Sequence, residues 1–315
     1  MIKKYLKKSL FLTTGLILRY PLFLLLFLLR PFKLFQYIFL VYPGKDKDIE
    51  AFCPLWLAKS VLFSAKPTIA GIITKSKTNA RGLMLVVPNS THDLIHHKQI
   101  SLNIMNNLNK IAKIVGASTI GMAGQGPGIM QKHGIDTGDK FMYGTMGTIF
   151  SISETIHAAL KKNNFAKNAK VVTVGKSFIS KGLVDFLNIH GYHAFEINLS
   201  DGPLSIENAD IVIVITLSGK LFYPFIPHLK DSSIVIDYTH PKMLKRPSNA
   251  FFYKVATGID GVKFIPQLPG YKEDWIPGCS IESIVHSEFG NTPFSSQELF
   301  NKNAKSLGLS ALLVK

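Results

Sequence analysis

The sequence predicts an α/β protein: a Rossmann-like, doubly wound parallel sheet, joined to a second α/β substrate domain and preceded by an N-terminal hydrophobic membrane anchor. Three observations lead there. Between Lys170 and Asp237, four short apolar or β-branched runs alternate with turn and helical segments, the pattern of β-α-β units. The run Ile211-Val212-Ile213-Val214-Ile215 is apolar at consecutive positions, as a strand covered on both faces must be. Before residue 42, two leucine- and phenylalanine-rich runs carry few polar residues, too few to make the wet face of a surface helix.

The N-terminal segment comes first. Lys3, Lys4, Lys7 and Lys8 precede the apolar residues 9–18, Arg19-Tyr20-Pro21 interrupts, and residues 22–29 resume until Arg30-Pro31. Neither run ends in a small-residue cleavage site, so the segment is expected to be retained. A straight span would set Arg19 near the bilayer centre at a cost of at least ~2.5 kcal/mol. Two arms bending at Pro21, with Arg19, Arg30 and Lys33 snorkelling to one headgroup layer, avoid most of it. The expectation is therefore a monotopic or re-entrant anchor over residues 1–42, with a single span as one alternative and a core helix of a soluble domain as another. The chain would be membrane-associated, its catalytic domain cytoplasmic.

Residues 43–165 read as the N-terminal part of a substrate domain. Tyr42-Pro43-Gly44 opens a linker, residues 82–88 read as a buried strand, and residues 99–115 form a helix with Ile100, Ile104, Leu108, Ile111 and Val115 on one face. His92, His96 and His97 read as surface histidines, and no metal-ligand spacing accompanies them. Two glycine loops follow. The first, residues 116–128, holds Gly121, Gly124, Gly126 and Gly128; the second, Gly144-Thr145-Met146-Gly147-Thr148, opens a helix over 149–160. Glycines there let a ligand approach the backbone, and helix-start N–H groups face an anion or a carbonyl oxygen. Plain turn chemistry explains either loop equally well.

Residues 166–244 form the expected dinucleotide-binding domain. The strand 170–174 stops at Gly175; Lys176, Ser177 and Gly182 lie in or close the turn before a helical pattern over 183–189. Further strands are expected over 194–198, 209–216 and 233–237, which points to the loops after Val174, Ile215 and Ile236 as the ligand site. The loop lacks the central glycine of a G-x-G-x-x-G fingerprint, so lysine and hydroxyl groups would supplement its phosphate contacts. No arginine follows Glu196-Ile197-Asn198 to select a 2′-phosphate.

Residues 245–315 are expected to return to the substrate domain. Pro277 and Gly278 end one element, and a helix with Ile281, Ile284, Val285 and Phe289 apolar begins beside Cys279. A thiol at a helix start meets N–H groups and the macrodipole, which lower its pKa. Cys53 lies among apolar residues and reads as inert. Two cysteines exclude a disulfide framework. The 315-residue chain carries 36 Lys+Arg against 20 Asp+Glu, a net charge of +16. This suggests an anionic lipid surface or an acidic carrier; nucleic acid is not expected, because the lysines form no stripe interleaved with aromatics.

The order of these parts resembles the long-chain acyl-ACP reductases of the cyanobacterial type, which form fatty aldehydes. The resemblance lies in the loops 116–124 and 144–148, the segment 171–182, Ile236-Asp237-Tyr238-Thr239-His240-Pro241-Lys242, and residues 279–290 from Cys279 to Glu288-Phe289-Gly290. Phe264-Ile265-Pro266 and Trp275-Ile276-Pro277 are similar as well to the C-terminal domain of plant wax-alkane proteins. The family implies that Cys279 forms an acyl-enzyme from an acyl carrier protein or CoA thioester, with Glu282 as a positioning or proton-transfer residue. It implies NADPH, or NADH, held over Gly175 to Gly182 and by Thr216, Ser218 and Gly219. Gly124, Gly144, Gly147 and Thr148 would supply N–H groups to the oxyanion, and an aldehyde-consuming enzyme would follow. Two other readings remain: a non-catalytic, membrane-bound lipid-binding subunit, and a soluble-type dehydrogenase of the shikimate or methylenetetrahydrofolate kind.

Overall fold

The computed structural model describes residues 9, 11–50, 52–74, 81–165, 168–268, 270–290 and 294–314. Lys3, Lys4, Lys7 and Lys8 lie outside this set. The chain forms two compact units: Met1–Gly144 with Asp260–Asp274 and Cys279–Phe294, and Thr145–Ile259 with Trp275–Gly278 and Ser295–Lys315. These bounds correct the expected ones. The second unit begins at Thr145 rather than 166, and it takes back most of the chain after 244.

In the first unit a helix, α1 (Arg19–Leu28), leads to strands β1 (Tyr37–Val41), β2 (Thr68–Thr74), β3 (Gly82–Val86), β4 (Thr119–Met122) and β5 (Phe141–Met142), with helix α2 (Lys98–Val115) between β3 and β4. The sheet has six strands, ordered Lys263–Ile265, β2, β3, β1, β4, β5. β1 pairs in parallel with both β3 and β4, while β2 runs antiparallel to β3. Tyr37, Ile38, Phe39 and Leu40 are all buried, so β1 is a central strand and the expected anchor of residues 1–42 ends inside the core. A parallel strand covered on both faces has the same unbroken apolar composition as a lipid-embedded run.

α1 is likewise part of this unit. Phe23 and Leu26 pack against the core that holds Ile104, Leu108 and Ile111 of α2. Pro21 sits in the first turn of α1, where its missing N–H costs no intrahelical bond; a π-helical turn, Thr13–Ile17, precedes it, and the chain bends at Leu18 between the two. Arg19 is buried: its guanidinium donates to the Leu62 carbonyl at 2.8 Å and to Thr68 Oγ1 at 2.9 Å, and lies over the Phe63 ring. The expected snorkelling of Arg19 is therefore wrong, because these partners hold two of its three guanidinium nitrogens inside the protein. Among the described residues, no helix is long and apolar enough to cross a membrane.

The second unit opens with helix α3 (Thr145–Asn163), followed by β6 (Lys170–Val174), helix α4 (Phe178–Ile189), β7 (His193–Ile197), β8 (Ile211–Val214), β9 (Ile234–Asp237) and β10 (Phe251–Lys254). Its five-stranded sheet is parallel throughout, in the order β10, β9, β8, β6, β7. Successive residues alternate between two cores. Val171, Ile211, Ile213 and Ile236 face the helices α3 and α4, and Val172, Val174, Val212 and Val235 face the other side with Phe222 and Phe225. Both faces are covered, as the runs of β-branched residues require. The chain leaves β6 toward β7 and returns to β8 on its other side, so the direction of winding reverses between β6 and β8.

Candidate functional site

Helix α5 (Gly278–Phe289) carries Cys279 in its first turn. In the first unit the cysteine meets both glycine loops. A Cβ on Gly144, whose φ is +75°, would fall 2.8 Å from both Cα and Cβ of Cys279, so only glycine lets that loop pass so close. The backbone N–H of Gly124, with those of Cys279 and Ser280, favours the thiolate. Burial outweighs them and, with the carboxylate of Glu282 adding to it, pushes the thiol up to about 11. The residue as a whole is only half-buried, but the crowding around the sulfur sets the direction. The expected lowering by the helix start is thus overturned.

Tyr42, assigned to a linker by its Pro-Gly neighbours, also belongs here. A Cβ on Gly124 would lie 3.4 Å from its hydroxyl, and one on Gly126 3.1 Å from its ring. Burial raises the phenol, the Gly126 and Gln125 N–H groups oppose that, and Cys279 adds to it. No sequence pattern marks it, since its place depends on β1 ending beside the loop after β4. Glu282, one turn beyond Cys279, is buried. His286 is buried, its Nδ1 3.2 Å from the Gly290 carbonyl and its ring against Phe294, an arrangement that closes the end of α5.

Gly147 and Thr148 do not share the unit of Cys279. They lie in the first turn of α3 in the second unit, where Thr148 Oγ1 is 3.1 Å from the Tyr238 hydroxyl and its Cα would be 3.0 Å from a Cβ on Gly278. Thr148 is buried. Of the four expected N–H donors, Gly124 and Gly144 are thus placed together with the thiol.

The expected cofactor residues lie at the carboxyl ends of β6 and β8. Gly175 has φ +111°, and a Cβ there would collide with the Ile215 carbonyl oxygen, so glycine is required where these strand ends converge. Thr216 Cγ2 is 3.4 Å from the same point, and Thr216 Oγ1 donates to the Ser218 carbonyl at 2.9 Å. Lys176 and Ser177 are exposed. Ser177 caps α4, its Oγ accepting from the Ser180 N–H at 3.1 Å, and Ser180 Oγ in turn donates to Glu196 Oε2 at 2.6 Å. Gly182 is not in the turn. It faces Ile149 of α3 from within α4, where a Cβ would come 3.1 Å from Ile149 Cδ1. Gly219 lies against the backbone of Met243 and donates its N–H to the Pro241 carbonyl at 3.0 Å.

No group of three or more His, Cys, Asp or Glu side chains among the described residues is arranged to hold a metal ion. The rings of His92 and His96 lie against each other at a tilt, 4.3 Å between centres, and both residues are exposed.

No protein-family model matches the chain, and no curated protein sequence matches it. Among solved structures it is similar to a 5,10-methylenetetrahydrofolate dehydrogenase from the silkworm Bombyx mori, with 13% identity, TM-score 0.43, and coverage of 87% of this chain and 88% of that one. It is similar to the Trypanosoma brucei methylenetetrahydrofolate dehydrogenase-cyclohydrolase complexed with NADP, with 12% identity, TM-score 0.43, and coverage of 93% and 95%. It is also similar to L-tryptophan dehydrogenase from Nostoc punctiforme, with 14% identity, TM-score 0.37, and coverage of 86% and 77%.

Proposed function

We propose that the chain is a nicotinamide-dinucleotide-dependent reductase that converts a long-chain acyl thioester to a fatty aldehyde through an acyl group carried on Cys279. The observation that supports it is the thiol at the start of α5, pressed against Gly144 and facing the Gly124 N–H. Those N–H dipoles suit a carbonyl oxygen that gains negative charge as the thiol adds to it. Glu282, one turn along α5 and near enough for its charge to disfavour the thiolate, is the residue proposed to take the thiol proton. In the first half-reaction the Cys279 sulfur–acyl bond forms and the carrier's thiol leaves with a proton.

The residues at the ends of β6 and β8 fit a dinucleotide. Gly175 brings two strand ends together where the winding reverses, and Lys176 and Ser177 stand exposed at the start of α4. The bound nicotinamide supplies the hydride that converts the acyl group to aldehyde. NADPH is the proposed donor with NADH as the alternative, and Glu196 below the first turn of α4 is a reason to test both. The carrier is an acyl carrier protein or CoA, and the +16 net charge suits either. Membrane lipid and an aldehyde-consuming enzyme are the further partners.

One finding favours a second reading, a non-catalytic lipid-binding subunit: the thiol is held up to about 11 in the free chain. Incubating purified protein with palmitoyl-ACP or palmitoyl-CoA and each nicotinamide separates the two. The reductase reading expects hexadecanal from wild type and none from Cys279→Ala. Absence of aldehyde from wild type, or equal yield from the variant, overturns it.

A further inference from the structure

The side of α1 turned away from the core remains apolar. Tyr20, Leu24, Phe27 and Leu28 follow helical spacing and are exposed, Tyr20 by 73% and Leu24 by 61%. In the same unit Trp56 at 76% and Val61 at 83% are also exposed. Two contacts tie the two segments: the Arg19 guanidinium to the Leu62 carbonyl, and the stacked rings of Phe11 and Phe63. Isolated exposed apolar residues are ordinary, but a stripe of large ones continued by a second segment marks an interaction surface.

At the end of α1 the charge is of one sign, whereas in the second segment Lys59 pairs with Asp46 and Asp93. Arg30 and Lys33 are exposed and edge an apolar groove with Phe27, Leu28 and Pro31 at the end of α1. No acidic residue occurs before Asp46. The 10-residue helix is about 15 Å long, roughly half the hydrocarbon thickness, so it matches a layer it lies along rather than crosses. Tyr and Trp beside leucines, with cations at the edge, match the depth profile of the bilayer interface. A second copy of the same face would bring like charges together.

We propose that α1 and the Trp56–Val61 segment form one composite face that lies in the plane of an anionic lipid bilayer, inserting side chains to headgroup depth without spanning. This inference is independent of the reductase reading.

The test uses the full-length chain and vesicles of phosphatidylcholine with and without phosphatidylglycerol, read by tryptophan emission and co-sedimentation. Trp56 and Trp275 are the two tryptophans, and Trp275 is buried. Wild type is expected to shift to the blue on anionic vesicles and to be quenched by acyl-brominated lipid, and Trp56→Phe to lose both signals. Arg30→Gln/Lys33→Gln should weaken partition into anionic vesicles roughly thirtyfold, from about 1 kcal/mol per cation. Leu24→Glu/Val61→Glu should abolish partition while its thermal unfolding in lipid-free buffer matches wild type. Full binding by the Leu24/Val61 variant, a Trp56 signal indifferent to vesicles, or a blue-shifted Trp56 in a lipid-free dimer would overturn the proposal.

Discussion

At the level of single residues, Cys279 shows how opposing effects are decided by size. A helix start contributes roughly 0.3–1 kcal/mol toward an anion placed at it. Burial and Glu282 displace the thiol from 9.0 to about 11, a net preference of about 3 kcal/mol for the neutral form after those N–H groups have acted. In the free chain, alkylation by iodoacetamide should therefore be about a hundredfold slower at neutral pH than for an unperturbed thiol, rising toward pH 11. Cys53, fully buried, should stay unmodified while the chain is folded. A midpoint near pH 8 or below would show that the N–H groups prevail. The cysteine's position was legible because Pro277-Gly278 announces a helix start. The sign of its shift was not, because burial comes from Tyr42 and the two glycine loops, distant in sequence.

Among the elements, those covered on both faces announced themselves. β6, β8 and β9 stand where their apolar runs placed them, within a residue or two. β10 and β2 escaped notice: Phe251–Lys254 is short and follows a basic, proline-containing turn, and Thr68–Thr74 is interrupted by a bulge between Ile69 and Gly71. α3 was divided from its own unit because the polar residues after it resemble a linker, although Ile149, Ile152 and Ile156 bury against β6 and β8. The end of β9 offers a test of the second unit's electrostatics. Asp237 is fully buried and accepts from the Thr239 and Met243 N–H groups, and Lys254 on neighbouring β10 donates to the Thr239 carbonyl at 2.7 Å. Burial lowers Lys254 from 10.5 to about 8, against the pull of Asp237 at 3.7 Å. Between those values the unfolded chain holds the extra proton, so this group makes folding more favourable as pH rises from about 8 to 10.5. Lys254→Met should lack that rise, measured as the difference in unfolding free energy from wild type across the window, in which the opposite contribution of Cys279 cancels. An unchanged pH slope would contradict the buried, depressed ammonium.

For the whole molecule, the doubly wound parallel sheet was legible and the partition of the chain was not. Patterns of periodicity report which residues are covered, not what covers them. Residues 19–41 illustrate this: the strand Tyr37–Val41, read as part of the anchor, stands at the centre of a sheet, and α1 packs one side on α2 while its other side stays apolar and exposed. The chain passes between the units at Gly144–Thr145, Ile259–Asp260, Asp274–Trp275, Gly278–Cys279 and Phe294–Ser295, and Cys279 directly follows the fourth of these junctions. That arrangement makes the chemistry of Cys279 the point on which the functional reading turns. Its most direct test is intact and peptide mass spectrometry after incubation with palmitoyl-CoA or palmitoyl-ACP in the absence of any nicotinamide. A palmitoyl adduct confined to the peptide containing Cys279, and discharged when NADPH or NADH is added, is the predicted result. No adduct on Cys279, or one that persists unchanged through nicotinamide addition, would contradict the account.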